Sequence, residues 1–262
     1  MRCDVAGHPV YAYTGSRAFD AKLPTLAFVH GAAQDHSAWA LQSRYFAHHG
    51  HNVLAVDLAG HGKSGGEPLA AVESIGKWIF RLLDAMQVDR AAVCGHSLGA
   101  LAVLDAAARY PERVRKIALL GAAVPMPVSD VLLEAAKAND HAAYELITGW
   151  SFSPRHQLGG NQQPGVWMTG GALRLMERSA PGALYADLLA CQSYDGGLAA
   201  AKKVRSPALL ILGERDLMAP ARNAAALAAA LPDCRIVTIA DCGHSLMTEE
   251  PDAVLDALRE FL

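Results

Sequence analysis

A single α/β domain built on a mostly parallel sheet of about eight strands is the fold this sequence predicts, and three observations carry the prediction. Short apolar runs alternate with helix-like stretches along most of the 262 residues. The runs are hydrophobic almost without interruption, which suits strands covered by helices on both faces. One segment, 125–200, breaks the alternation and reads as helices inserted at one end of the sheet.

The strand candidates are 25–29, 52–56, 91–94, 116–120, 208–212 and 235–239, each bounded by Gly, Pro, Asp or His. These lengths suit strands and are short for helices. The start of the chain, through Tyr13, could add an antiparallel hairpin. Helix-like stretches lie at 36–49, 74–86, 98–109, 221–230 and 253–261. The Ala-rich stretch 223–231 has high helix propensity, and Asp252, following Pro251, could cap the last helix. Segment 125–200 has no clear strand, Gly pairs at 159–160 and 170–171, and large apolar residues that include Tyr144, Met176 and Tyr185. It is expected to be a helical cap, leaving 1–124 and 201–262 as the core.

Hydrophobic residues make up 52% of the chain and charged residues 19%, enough apolar surface to offset the entropy of ordering it. A formal net charge of -3 gives no field that would attract nucleic acid or an anionic membrane. No run approaches the roughly 20 apolar residues that span a bilayer. Residues 1–10 include Asp4, Gly7, His8 and Pro9, so no signal-peptide core is expected. The five cysteines form no Cys-x-x-Cys pair, which argues against a disulfide framework or zinc knuckle. His48, His49 and His51 cluster without a carboxylate or Cys at ligand spacing and read as solvated. A cytoplasmic monomer or homodimer is expected, with no metal, no cofactor, and neither nucleic acid nor membrane as a partner.

Gly95-His96-Ser97-Leu98-Gly99 follows one strand and opens a helix. Gly-x-Ser-x-Gly in that setting is a nucleophile elbow. Ser97 must occupy a strained turn, at a cost of about 1–3 kcal/mol. The glycines let strand and helix approach on either side of it. The new helix also aims free N–H groups at the spot, which favours negative charge there. Downstream, Asp216 follows the strand 208–212 and His244 follows 235–239. All three residues therefore fall at the C-terminal edge of the sheet, where open parallel sheets bind ligands. Asp216 has two rivals. Glu214 is expected to turn elsewhere, and Asp241 is too near His244 in the chain to reach around it. The stretch Gly121-Ala122-Ala123-Val124 offers no carboxylate.

With these motifs in the order Ser, Asp, His, the sequence resembles the α/β-hydrolase superfamily, in particular small bacterial serine esterases with a helical cap. The resemblance covers nearly the whole chain. It includes His30-Gly31 and the turn from Asp57 through Gly60-His61-Gly62 to Ser64, which it makes structural. It implies a Ser97 nucleophile, a His244 base, and an Asp216 acid that orients it. It also implies oxyanion donors at the backbone N–H groups of Leu98 and Ala32. Pocket candidates are Ala33, His96, Met126, Trp150, Trp167, Met168, Leu217 and Ser245. The expected reaction is hydrolysis of a small to medium carboxylic ester, the small-molecule partner, through an acyl-enzyme. The same three residues also serve C–C bond hydrolysis of a diketone, lactonase, thioesterase and cofactor-free perhydrolase chemistry. A receptor-like binding protein with a vestigial triad is the reading from another class.

Overall fold

The computed structural model describes residues 1–160 and 165–262; residues 161–164 of the expected cap lie outside that description. The chain begins with the hairpin β1 (Arg2–Val5) and β2 (His8–Tyr13), then β3 (Thr25–Val29), α1 (Ala40–His48) and β4 (Asn52–Val56). The central units are α2 (Val72–Ala85), β5 (Ala91–His96), α3 (Leu98–Arg109) and β6 (Val114–Leu120). Six helices follow among the described residues: α4 (Asp130–Lys137), α5 (Ala142–Ser151), α6 (Pro154–Gln157), α7 (Met168–Met176), α8 (Ala183–Ser193) and α9 (Gly197–Ala201). The chain closes with β7 (Ala208–Gly213), α10 (Ala225–Ala230), β8 (Cys234–Ile239), α11 (Leu246–Glu249) and α12 (Pro251–Phe261).

The strands form one sheet in the order β1-β2-β4-β3-β5-β6-β7-β8. The hairpin joins antiparallel, and the other neighbours pair in parallel. Side chains along a strand alternate between faces, so each continuous apolar run supplies two cores. From β6, Ile117 and Leu119 enter one core, and Ala118 and Leu120 enter the other. From β7, Leu210 and Leu212 oppose Leu209 and Ile211 in the same way. Helices α2, α3, α9 and α10 cover the first face, while α1 and α12 cover the second. Full burial of each leucine or isoleucine among them contributes about 1.5–3 kcal/mol.

Four expectations need correction. The expected helix 36–49 opens with a separate 3-10 turn, His36–Trp39, because the Asp35 side chain accepts the Ser37 N–H and caps it there. The expected helix 221–230 likewise opens with a 3-10 turn, Ala221–Ala224. Asp252 does not cap α12: Pro251 takes the first helical position, so Asp252 falls inside the first turn. Finally, β8 is not covered on both faces. It lies at the sheet edge, with Arg235, Ile236 and Thr238 exposed.

Most helices of 125–200 collect at one end of the sheet. Leu132 of α4, Ile147 of α5, Met176 of α7, and Leu184 and Leu188 of α8 form a third small core together with Ala33. Helix α9 instead packs beside α3 and α10.

Candidate active site

Ser97 sits between β5 and α3 at φ 54, ψ -119, a left-handed backbone that a side chain adopts only under constraint. The constraint is close packing. A Cβ on Gly95 would lie 2.3 Å from the Gly99 carbonyl oxygen, and one on Gly99 would lie 2.5 Å from the carbonyl oxygens of Val29 and His30. Any larger residue at either position would push the helix off the strand and lower the serine.

His244 reaches the site from the loop after β8, and Asp216 from the loop after β7. His244 Nδ1 is 2.8 Å from Asp216 Oδ2. The other carboxylate oxygen accepts the N–H groups of Met218 and Ala219, both at 2.8 Å. Burial would raise the Asp216 pKa, but His244 and the two N–H donors outweigh it and hold the carboxyl below its ordinary value. Glu214 turns away and accepts the Asp241 N–H, and Asp241 lies beside Arg215 on the exposed side of the loop. Ser97 Oγ and His244 Nε2 are not hydrogen-bonded to each other.

The loop carrying His244 is tied down by the neighbouring helical segment. The Ser151 carbonyl accepts the N–H groups of His244 and Ser245 at 2.8 and 3.0 Å. Buried Glu249 accepts those of Gly243 and Ser153 at 3.0 and 2.9 Å. His96 Nε2, 2.9 Å from the His244 carbonyl oxygen, donates to it. Burial, reinforced by His244, lowers the His96 pKa to about 3, so the ring is neutral. His30 is neutral too: its Nδ1–H donates to the Gly31 carbonyl, its Nε2 accepts the Leu58 N–H, and burial lowers its pKa to about 4.

These buried histidines give stability a definite pH slope. Unfolded histidine titrates near 6.5, well above His30 and His96, so the unfolded chain binds more protons below about pH 6.5. Stability is therefore expected to fall as pH drops from about 6.5 toward 3, joined below about pH 4 by loss of the Asp216 contribution. Urea midpoints at pH 7, 5.5 and 4.5 check this; equal midpoints would contradict it.

Ser97, His244, Ala32 and Ser245 open onto a cavity of about 370 Å³. His96, Met126, Trp150 and Leu217 also line it, as do Leu132, Ile147, Leu188 and Cys191, which sequence reasoning missed. Leu98 and Asp216 are buried behind it. Neither the Ala32 nor the Leu98 N–H has a protein acceptor among the described residues. Three expected pocket residues do not line this cavity. Ala33 turns away because its N–H bonds to Asp187. Trp167 folds back over Gly170 at the start of α7, where a Cβ would lie 2.2 Å from the indole, and it remains 73% exposed. Met168, beside it, is buried against a separate groove that both residues line. Among the described residues, Asp35, His36 and Asp57 could approach one ion, but Asp35 is engaged by Ser37 and Arg178, and Asp57 by His36 and Lys63. No helix among the described residues is long and apolar enough to cross a membrane.

An elbow serine, a histidine and a carboxylate on the C-terminal edge of an eight-stranded sheet define a class, and the sequence agrees. The profile of the alpha/beta hydrolase fold family matches residues 24–251, and the chain belongs to that family. Among curated relatives it is 32% identical to a pimeloyl-[acyl-carrier protein] methyl ester esterase of Aromatoleum aromaticum, over 87% of this chain and 94% of that protein. It is 26% identical to the esterase YbfF of Escherichia coli, over 81% and 83% of the two chains. Among solved structures, an enol-lactonase from Burkholderia xenovorans LB400 superposes with a TM-score of 0.87 at 23% identity, over 100% and 99% of the chains, a likeness of fold.

Proposed function

We propose that this hydrolase is a serine esterase that cleaves small to medium carboxylic esters through an acyl-enzyme. The observation that carries the reading is the His244–Asp216 contact of 2.8 Å beside a strained Ser97 that lines a largely apolar cavity. Ser97 Oγ attacks the carbonyl carbon while His244 Nε2 takes its proton. The carbonyl oxygen becomes an oxyanion held by the Ala32 and Leu98 N–H groups. Collapse expels the alcohol, which receives the proton from His244. Water, deprotonated by the same ring, then attacks the acyl carbon, and the acid departs as the bond to Ser97 Oγ breaks and His244 returns the proton to that oxygen. Asp216 holds the proton on Nδ1 throughout, leaving Nε2 free to accept. Helices α4, α5, α7 and α8 serve as the lid, and their Leu132, Ile147, Met176 and Leu188 seat an apolar acyl or alcohol group. The two curated esterase relatives favour ester cleavage over the other reactions open to the same three residues. A cytoplasmic location accords with five cysteines that form no disulfide.

The test is turnover of p-nitrophenyl acetate, butyrate and octanoate, with mass spectrometry after exposure to an organophosphonate. Multiple turnover and one adduct on Ser97 are expected, and the order of kcat/KM along the series sizes the acyl subsite of the cavity of about 370 Å³. An adduct without ester turnover would shift the reading to lactone, thioester or C–C bond substrates.

A further inference from the structure

The lid and the loop carrying Ala32 share one buried carboxylate. Asp187, on α8, is 1% exposed. Its Oδ2 accepts the Ala33 N–H at 2.8 Å and lies 2.9 Å from His61 Nε2. The other ring nitrogen, His61 Nδ1, is 2.9 Å from the Ala59 carbonyl oxygen. Both nitrogens of His61 thus face acceptors, so the ring carries both protons and pairs as an imidazolium with the carboxylate. Burial opposes that charge, but Asp187 outweighs it and raises the His61 pKa.

The pair sits where it controls the loop. Ala33 is held at φ 52 with its N–H turned to Asp187, while the preceding Ala32 lines the cavity. On the other side of Ala32, the neutral His30 ring fixes Gly31 to the turn at Leu58. The Ala32 N–H is therefore aimed by two anchors, one in the core and one in the lid. Leu188, next to Asp187 on α8, forms part of the cavity wall, so one helix both contacts bound substrate and sets the loop.

We propose that Asp187, held by His61, is a positioning residue for the oxyanion site, coupling the seating of the lid to stabilisation of the transition state. The proposal rests on the esterase reading, in which the Ala32 N–H is an oxyanion donor. A substrate that packs against α8 presses Asp187 onto Ala33, so acyl binding is expressed in kcat and not only in KM.

The experiment compares wild type, Asp187→Ala, Asp187→Asn and the double variant His61→Leu/Asp187→Leu on p-nitrophenyl butyrate and its thionoester, whose sulfur is a weak hydrogen-bond acceptor. Because one oxyanion donor is worth about 10²–10³ in kcat, Asp187→Ala is expected to lower kcat about 100-fold with KM changed less than about threefold. Asp187→Asn, whose amide oxygen can still accept the Ala33 N–H, recovers at least about tenfold of the loss. The preference for the oxygen ester over the thionoester shrinks by about tenfold in Asp187→Ala, a readout that lost stability alone would not move. The double variant replaces a buried ion pair with apolar side chains, which preserves folding where Asp187→Ala does not. It cannot accept the Ala33 N–H, so it should match the Ala defect. A folded Asp187→Ala or double variant with wild-type kcat and an unchanged oxygen-to-sulfur preference would overturn the proposal. Wild type that neither turns over esters nor takes a phosphonate on Ser97 would overturn the esterase reading and this proposal with it.

Discussion

Replacing Ser97 with alanine is expected to lower kcat on p-nitrophenyl butyrate by about 10⁴-fold or more while leaving the fold intact. The fold should survive for specific reasons. Among the described residues Ser97 Oγ has no hydrogen-bond partner, so its removal orphans none of them. Alanine keeps the Cβ that already tolerates φ 54. The thermal midpoint is therefore expected to stay within a few degrees of wild type, since the substitution breaks no hydrogen bond and removes only one hydroxyl oxygen. Because the three residues act as a unit, a Ser97→Ala/His244→Ala double variant should be scarcely slower than either single variant. Any remaining rate over water would come from the oxyanion donors and binding. Near-normal turnover by folded Ser97→Ala protein would remove Ser97 from the mechanism.

Asp216→Asn is expected to cost about as much, on the order of 10⁴-fold in kcat with little change in KM. The geometry supplies the reason. Asp216 Oδ1 accepts the Met218 and Ala219 N–H groups, so the amide oxygen of asparagine must stay there to avoid leaving two donors unmet. The amide nitrogen then faces His244 Nδ1 in place of Oδ2. It donates to that nitrogen and forces the imidazole proton onto Nε2, the atom that must accept from Ser97. The base is present, correctly placed, and in the wrong tautomer. Nitrogen-15 NMR of the imidazole should show the proton moving from Nδ1 to Nε2. An Asp216→Asn variant within tenfold of wild-type kcat would mean that Asp216 does not set the tautomer.

The elbow, the acid loop and the histidine loop were legible in the sequence because each is a local feature. A strand ends, a short loop follows, and a chemically distinctive residue sits within a few positions of the strand end, as with Gly213 and Asp216. The alternation of apolar runs and helices reports sheet class for the same reason, since side-chain direction repeats every two residues on a strand and every few on a helix. Even Asp187 left a trace: it lies between Leu184, Leu188 and Cys191 at helical spacing, a lone carboxylate on a buried face. Nothing nearby in sequence says which partner satisfies it.

The partner is settled by packing. Asp187 meets Ala33 from 154 residues away and His61 from 126, and Glu249 meets Ser153 across 96. Trp167 and Met168 were indistinguishable in composition from Trp150 and Met126, yet only the latter two face the cavity. Which apolar side chain lines a pocket depends on how whole helices roll against one another, and periodicity carries no record of that. The chain's local stereochemistry therefore names the candidate reacting groups and the sheet edge that presents them, whereas the low-dielectric interior, where every buried charge must find a partner, decides which distant residues hold them in place.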